Sequence, residues 1–169
     1  MTMLTLANMT GLLSRSVDWW TTIYSNHATL RTAVAFAHVG GLIGGGGCAI
    51  AADRATLLLT HTDAELWDPH LASIRRAHRV VLIGLAFIFI SGTLLAAADL
   101  PTYLESRVFW VKMALVAVLL VNGTALVRAE RQVVSGHSAG LRRLKQVSAI
   151  SLALWFLTTL LGTALPNVG

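Results

Sequence analysis

Four long stretches of the chain are apolar and almost free of charge. Three of them contain no Asp, Glu, Lys or Arg at all, and the third along the chain contains only Lys112. About 20 apolar residues in a helix cover the hydrocarbon core of a bilayer, where a helix satisfies its own backbone hydrogen bonds. The pattern therefore predicts four transmembrane helices, over residues 32–52, 80–98, 108–127 and 147–165. The short connection between the second and third stretches predicts that these two helices are antiparallel neighbours.

The segment before the first apolar stretch is too polar to cross a membrane. In it, Val17, Trp20 and Tyr24 recur at helical spacing. Because amphipathic aromatic rings favour the headgroup region, we predict a short interfacial helix here. The predicted architecture is an all-α membrane protein, with an extracytoplasmic segment (residues 1–31) that contains the interfacial helix and precedes a four-transmembrane-helix bundle (residues 32–169).

Basic residues are distributed unevenly between the two sides of the predicted membrane. Nine of the 13 Lys and Arg residues lie in the loops after the first and third apolar stretches, and four lie elsewhere. Because cytoplasmic loops carry the excess of basic residues, the count predicts that both termini are extracytoplasmic. The same topology accounts for the net charge of +5 without a nucleic-acid partner, and it makes the lipid bilayer the expected surroundings.

The first apolar stretch combines one histidine with a glycine-rich face. Gly41 and Gly45 lie three and seven positions after His38, so the three residues share one side of the helix. Small residues four positions apart usually mark close packing between helices. A glycine groove beside a histidine also suits a flat cofactor or a permeating ion. Both interpretations stay open from the sequence.

Ionisable residues at membrane depth are costly and are often functional. His38 and Lys112 qualify, and the topology predicts that they lie at similar depth in the outer half of the protein. The simpler alternatives are snorkelling of Lys112 to the interface and one interhelical hydrogen bond for His38. His78 is predicted near the opposite face of the membrane, so it cannot share a metal ion or haem iron with His38. Met113 is a candidate second ligand for His38.

Several short motifs resemble those of one known family. They are Trp19-Trp20, Ala37-His38-Val39-Gly40, Ala52-Asp53-Arg54 and Phe109-Trp110-Val111-Lys112-Met113. The layout resembles the small bacterial four-helix membrane domains, mostly uncharacterised, that are related to the copper-resistance D type. The resemblance covers about residues 18–165 and implies a bacterial inner-membrane protein with an intramembrane histidine and lysine. For copper-handling members it also implies copper movement across or within the membrane.

Two classes of function fit these patterns. The preferred hypothesis is a metal- or haem-handling protein, either a b-type haem redox carrier or a copper-permeation protein, although the spans hold few of the sulfur and imidazole ligands that copper favours. The residues expected to contact the cofactor are His38, Gly41, Gly45 and Lys112. The candidate metal ligands are His38, His78 and Met113. The alternative is a small non-redox transporter, or a structural accessory subunit of a homo-oligomer or a larger membrane complex; none of these hypotheses requires an enzyme activity.

Overall fold

The protein is helical over almost all of the residues that the computed structural model describes, which are 17–58, 64–135 and 139–168. In chain order the elements are α1 (residues 17–26), α2 (Ala28–Gly41), a π-helical segment (Leu42–Gly46), α3 (Gly47–Leu58), α4 (Ala64–Ala98), α5 (Leu100–Glu105), α6 (Arg107–Val134) and α7 (Gly140–Val168).

Four helical stretches are long and apolar enough to cross a membrane. They are span 1 (Ala28–Leu58), span 2 (Pro69–Ala98), span 3 (Arg107–Val134) and span 4 (Gly140–Asn167). Each contains one of the apolar stretches seen in the sequence, so the prediction of an all-α protein with four such helices is confirmed. Large apolar side chains cover their outer surfaces: Phe36, Phe89 and Val121 are 76%, 75% and 68% exposed. Such a surface is suited to contact with lipid tails.

The two ends of the molecule differ in charge. At one end of the molecule, spans 1 and 3 end and spans 2 and 4 begin. We call this end the basic end. The opposite end contains α1 and α5, and we call it the α5 end. The basic residues at the basic end are Arg54, Arg75, Arg76, Arg79, Arg128, Arg131, Arg142, Arg143 and Lys145.

Span 1 is the central helix of the arrangement. Its first half, α2 with the π-helical segment, packs against span 2, and its second half, α3, packs mainly against span 4. Span 4 in turn packs along span 3. Spans 2 and 3 were predicted to be neighbours, but in the described part of the chain their backbones make no extended contact. The reason is that α5 separates their ends at one side, while side chains join them only across the core.

The glycines of span 1 explain why it approaches span 2 so closely. A β-carbon at Gly41 would lie 2.9 Å from the Gly84 carbonyl oxygen, and one at Gly45 would lie 2.9 Å from the Gly84 Cα. Glycine at these positions lets the two backbones touch. Gly40 and Gly44 face away from the neighbouring helices, with no atom within 4 Å of a β-carbon at either position. Gly41 and Gly45, which lie on the same side of span 1 as His38, therefore pack against span 2.

Helix α1 is attached to span 2 at the α5 end of the molecule. The Trp20 indole N–H donates a hydrogen bond to the Leu94 carbonyl oxygen at 2.9 Å, and the Thr21 hydroxyl donates to the Ala97 carbonyl at 3.4 Å. The Trp20 and Tyr24 rings lie 5.7 Å apart between centroids. A helix is thus present where the aromatic pattern predicts one, and its aromatic residues hold it against the α5 end.

Candidate functional site

The first polar group lies towards the α5 end, and we call it the His38 cluster (His38, Ser91 and Lys112). The His38 ring nitrogen Nδ1 is hydrogen-bonded to Ser91 Oγ of span 2 at 3.1 Å. Gly92 makes room for the ring, because a β-carbon there would lie 3.2 Å from its Cε1. The Lys112 ammonium of span 3 is within electrostatic range of the ring. The structure therefore brings together the two intramembrane ionisable residues that the topology predicts at similar depth.

Lys112 reaches across to span 4, where Gly162 makes room for its ammonium. A β-carbon at Gly162 would lie 3.0 Å from the Lys112 Nζ. The side chain is half-buried, so the stem packs between spans 3 and 4. The two ionisable side chains of the cluster thus each lie against a glycine on a neighbouring helix, Gly92 for His38 and Gly162 for Lys112.

The donor set around His38 fits a metal ion poorly. Across the described ranges, no three His, Cys, Asp or Glu side chains come together. The Lys112 ammonium acts electrostatically on His38, and it would repel a metal cation in a medium of low dielectric constant. His78 lies at the basic end, as the topology predicts, and Met113 is half-buried in span 3. Haem or copper binding stays a prediction.

A cavity of about 340 Å³ lies at the centre of the helices, towards the basic end. All four spans contribute to its wall, which is mostly aliphatic. We call it the central cavity. Its polar lining side chains are Asp53, His78, Thr124 and Ser151.

Asp53 is the most unusual residue of the central cavity. It is only 3% exposed, although it lies near the end of span 1 and is followed by the exposed Arg54. Ser151 and Ser148 of span 4 face its carboxyl group. Within the part of the chain that the structure describes, Asp53 Oδ2 and Ser148 Oγ have no hydrogen-bond partner. A buried carboxyl oxygen without a partner is costly, so this site is built to accept a proton or a donor group.

A second cavity of about 400 Å³ adjoins the first at the basic end, and we call it the basic vestibule. Its polar lining includes Arg75, Glu130 and Arg131, and it shares His78 and Val127 with the central cavity. Arg75 Nε lies 3.8 Å from Glu130 Oε1. The Arg75 side chain is 60% exposed, so this ion pair is weak and solvent-screened. His78 therefore stands at the junction between an apolar chamber and a charged one.

Trp155 forms part of the wall of the central cavity, one helical turn after Ser151. The residue is 4% exposed, and a β-carbon at Gly46 would lie 3.0 Å from two atoms of its ring. The π-helical segment of span 1 therefore packs directly on the Trp155 ring. Because its ring lines the cavity, Trp155 can report on the contents of the cavity.

Sequence reasoning missed most of the central cavity. Asp53 was noted only within a motif at the close of span 1, and Ser151, Glu130 and Trp155 were not considered. The available signal was the spacing of Ser148 and Ser151, which share one face of an otherwise apolar helix.

The comparisons with known proteins add no relative. No family model, curated protein or solved structure matches the chain. The resemblance to the four-helix domains of the copper-resistance D type therefore stays a prediction. The function proposed below is inferred from the residues of the site.

Proposed function

We propose that the protein is a small non-redox membrane transporter whose substrate site is the central cavity. One observation carries this proposal: the Asp53 carboxyl group is 3% exposed, has an oxygen without a partner, and faces a cavity among membrane-crossing helices. Ionisable residues at such positions are expensive and commonly mark substrate or proton pathways. Asp53 would then take up a proton, or a donor group of the substrate, inside the cavity.

His78 supplies the connection between the Asp53 site and water. Its imidazole lines both cavities. A proton entering through the basic vestibule meets His78 before it reaches Asp53. The His38 cluster lies further along the molecule, towards the α5 end, and would form the polar part of the route on that side.

The proposal includes a location and an orientation. The four spans would form a bundle in a bacterial inner membrane, with the basic end in the cytoplasm and both termini outside. The support is the excess of basic residues, nine against four, on one side of the chain's topology. Helix α1 would lie at the outer interface, where the 65% exposed Trp19 suits the headgroup region.

Proton movement through reconstituted vesicles tests the role of Asp53. The vesicles contain a pH-sensitive dye, and a potassium gradient with valinomycin drives protons across the membrane. If Asp53 is a proton-accepting group on the pathway, Asp53→Asn should slow the flux by about 100-fold, a typical contribution of a positioned acid–base group. Asp99→Asn is the matched control, because Asp99 is exposed and lies outside the cavity.

Two outcomes would overturn the proposal. One is a flux in the wild-type protein no faster than in protein-free vesicles. The other is a flux that Asp53→Asn and Asp99→Asn reduce equally, since the carboxyl group in the cavity would then have no special part in it.

A further inference from the structure

The central cavity and the basic vestibule adjoin, because His78 and Val127 line both of them, and their other linings differ. On one side the walls are aliphatic, and on the other they carry arginine and glutamate side chains. A ligand that fills both chambers must be apolar at one end and polar at the other.

The central cavity is accessible from the lipid phase. Two of its lining residues, Leu82 of span 2 and Leu120 of span 3, are also 51% and 53% exposed on the outer surface. The backbones of these two spans make no extended contact in the described chain. The opening therefore lies between spans 2 and 3, and a molecule dissolved in the bilayer can enter sideways.

The charge of the vestibule favours an anionic headgroup. Of the described residues that line it, Arg75 and Arg131 are basic and Glu130 is acidic. Arg75 Nε lies 3.8 Å from Glu130 Oε1, and the Arg75 side chain is largely exposed. Guanidinium groups are well suited to phosphate oxygens, which they bind through two parallel N–H donors.

The central cavity offers an acceptor for a hydroxyl group on the ligand. Asp53 lines this cavity, and its Oδ2 atom is buried and has no hydrogen-bond partner among the described residues. A hydroxyl between headgroup and chain would donate to the carboxylate. The volume of about 340 Å³ is at the small end of the range for ligand sites, which leaves room for one hydrocarbon chain and not for two.

We propose that the joined cavities bind a single-chain anionic amphiphile that carries a free hydroxyl beside its phosphate headgroup, as a lysophospholipid does. This inference rests on the proposed function, because it names the substrate class of the same cavity. The phosphate lies between Arg75 and Arg131, the hydroxyl contacts Asp53, and the chain lies in the central cavity against Trp155.

Quenching of Trp155 fluorescence tests the inference on the full chain in nonionic detergent. The probes are lysophosphatidylglycerol with a brominated chain and lysophosphatidylcholine with the same chain. Subtracting the signal of Trp155→Phe isolates the contribution of Trp155 from those of the other tryptophans. Quenching should saturate, and the anionic probe should bind about tenfold more tightly than the zwitterionic one, a factor of ten being 1.4 kcal/mol.

Two variants locate the binding site. Gly123→Leu should abolish the quenching, because Gly123 lines the central cavity and has open space where a side chain would go. Gly44→Leu is the matched control: it also meets open space, but Gly44 is exposed on the outer face of span 1. Arg131→Gln, at the protein surface, should remove most of the preference for the anionic probe without affecting the fold.

The outcomes separate this inference from the proposed function. If both probes bind equally and Arg131→Gln has no effect, the anionic headgroup is wrong while the cavity stays a ligand site. If neither probe quenches Trp155, or if Gly123→Leu still binds normally, no amphiphile occupies the cavity and the inference fails. The proton flux and its dependence on Asp53 decide the proposed function independently of these titrations.

Discussion

Gly84 provides the sharpest test of how spans 1 and 2 are held together. A β-carbon at this position would lie 2.5 Å from the Gly45 Cα, 2.8 Å from its amide nitrogen and 2.9 Å from the Gly41 carbonyl oxygen. All three are backbone atoms, so no side chain can rotate to relieve the clash. Gly84→Ala therefore requires the two backbones to separate by about 1 Å before the contact becomes an ordinary one.

The expected loss of stability follows from two opposing effects. Overpacking of a close interface costs about 1–3 kcal/mol, and a clash with rigid backbone belongs at the upper limit, about 3 kcal/mol. Replacing glycine by alanine within a helix returns about 1 kcal/mol through helix propensity. The net free energy of unfolding of Gly84→Ala should therefore fall by about 2 kcal/mol.

Unfolding by sodium dodecyl sulfate in mixed micelles, followed by tryptophan fluorescence, measures this difference. Gly40→Ala is the matched control, because a β-carbon at Gly40 has no atom within 4 Å and should only gain helix propensity. The wild-type protein should lie between the two variants in stability. If Gly84→Ala proves as stable as Gly40→Ala, the close contact between spans 1 and 2 is wrong.

Two further predictions concern single polar groups. Asn122 is buried and donates from Nδ2 to the Val147 carbonyl at 3.1 Å, so Asn122→Ala should lower the free energy of unfolding by about 1 kcal/mol in the same assay; an unchanged midpoint would contradict that contact. Burial, together with the charge of Asp99, raises the pKa of the Tyr103 hydroxyl above its usual 10.0, so the unfolded chain ionises first as the pH rises. Stability should therefore fall as the pH rises through about 10, and Tyr103→Phe should show a smaller fall; equal pH dependence of the two proteins would refute the assignment.

The spans were predictable because the membrane imposes a simple rule on sequence. A run of about 20 residues without charge is rare outside a membrane, and three such runs, with a fourth interrupted only by Lys112, identify the four helices. The similar depth of His38 and Lys112 also followed from topology alone. Each residue lies in the first half of its span, and spans 1 and 3 both begin at the α5 end. Both predictions depend only on distance along a helix and on the direction in which the helix crosses the membrane.

The central cavity was not predictable because it depends on which helices touch. Asp53 is followed by an arginine at the end of a span, a position that usually faces water. Its burial comes from Ser148 and Ser151, which are almost 100 residues away in the chain. Likewise, the glycine spacing of span 1 indicates a close contact, but it does not say that Gly84 is the partner. Such pairings arise from the packing of side chains across the whole molecule.

The π-helical segment Leu42–Gly46 determines the direction in which every later side chain of span 1 points around the helix axis. A π-helical turn accommodates one residue more than an α-helical turn, and one residue in an α-helix corresponds to a rotation of about 100°. The direction in which Asp53 points is therefore decided seven residues before it, at Gly46. Because the wide turn absorbs one residue, deletion of a single residue within the segment would restore an uninterrupted α-helix and leave the carboxyl group facing the serines, whereas an α-helical turn that kept all five residues would rotate the carboxyl group by about 100°.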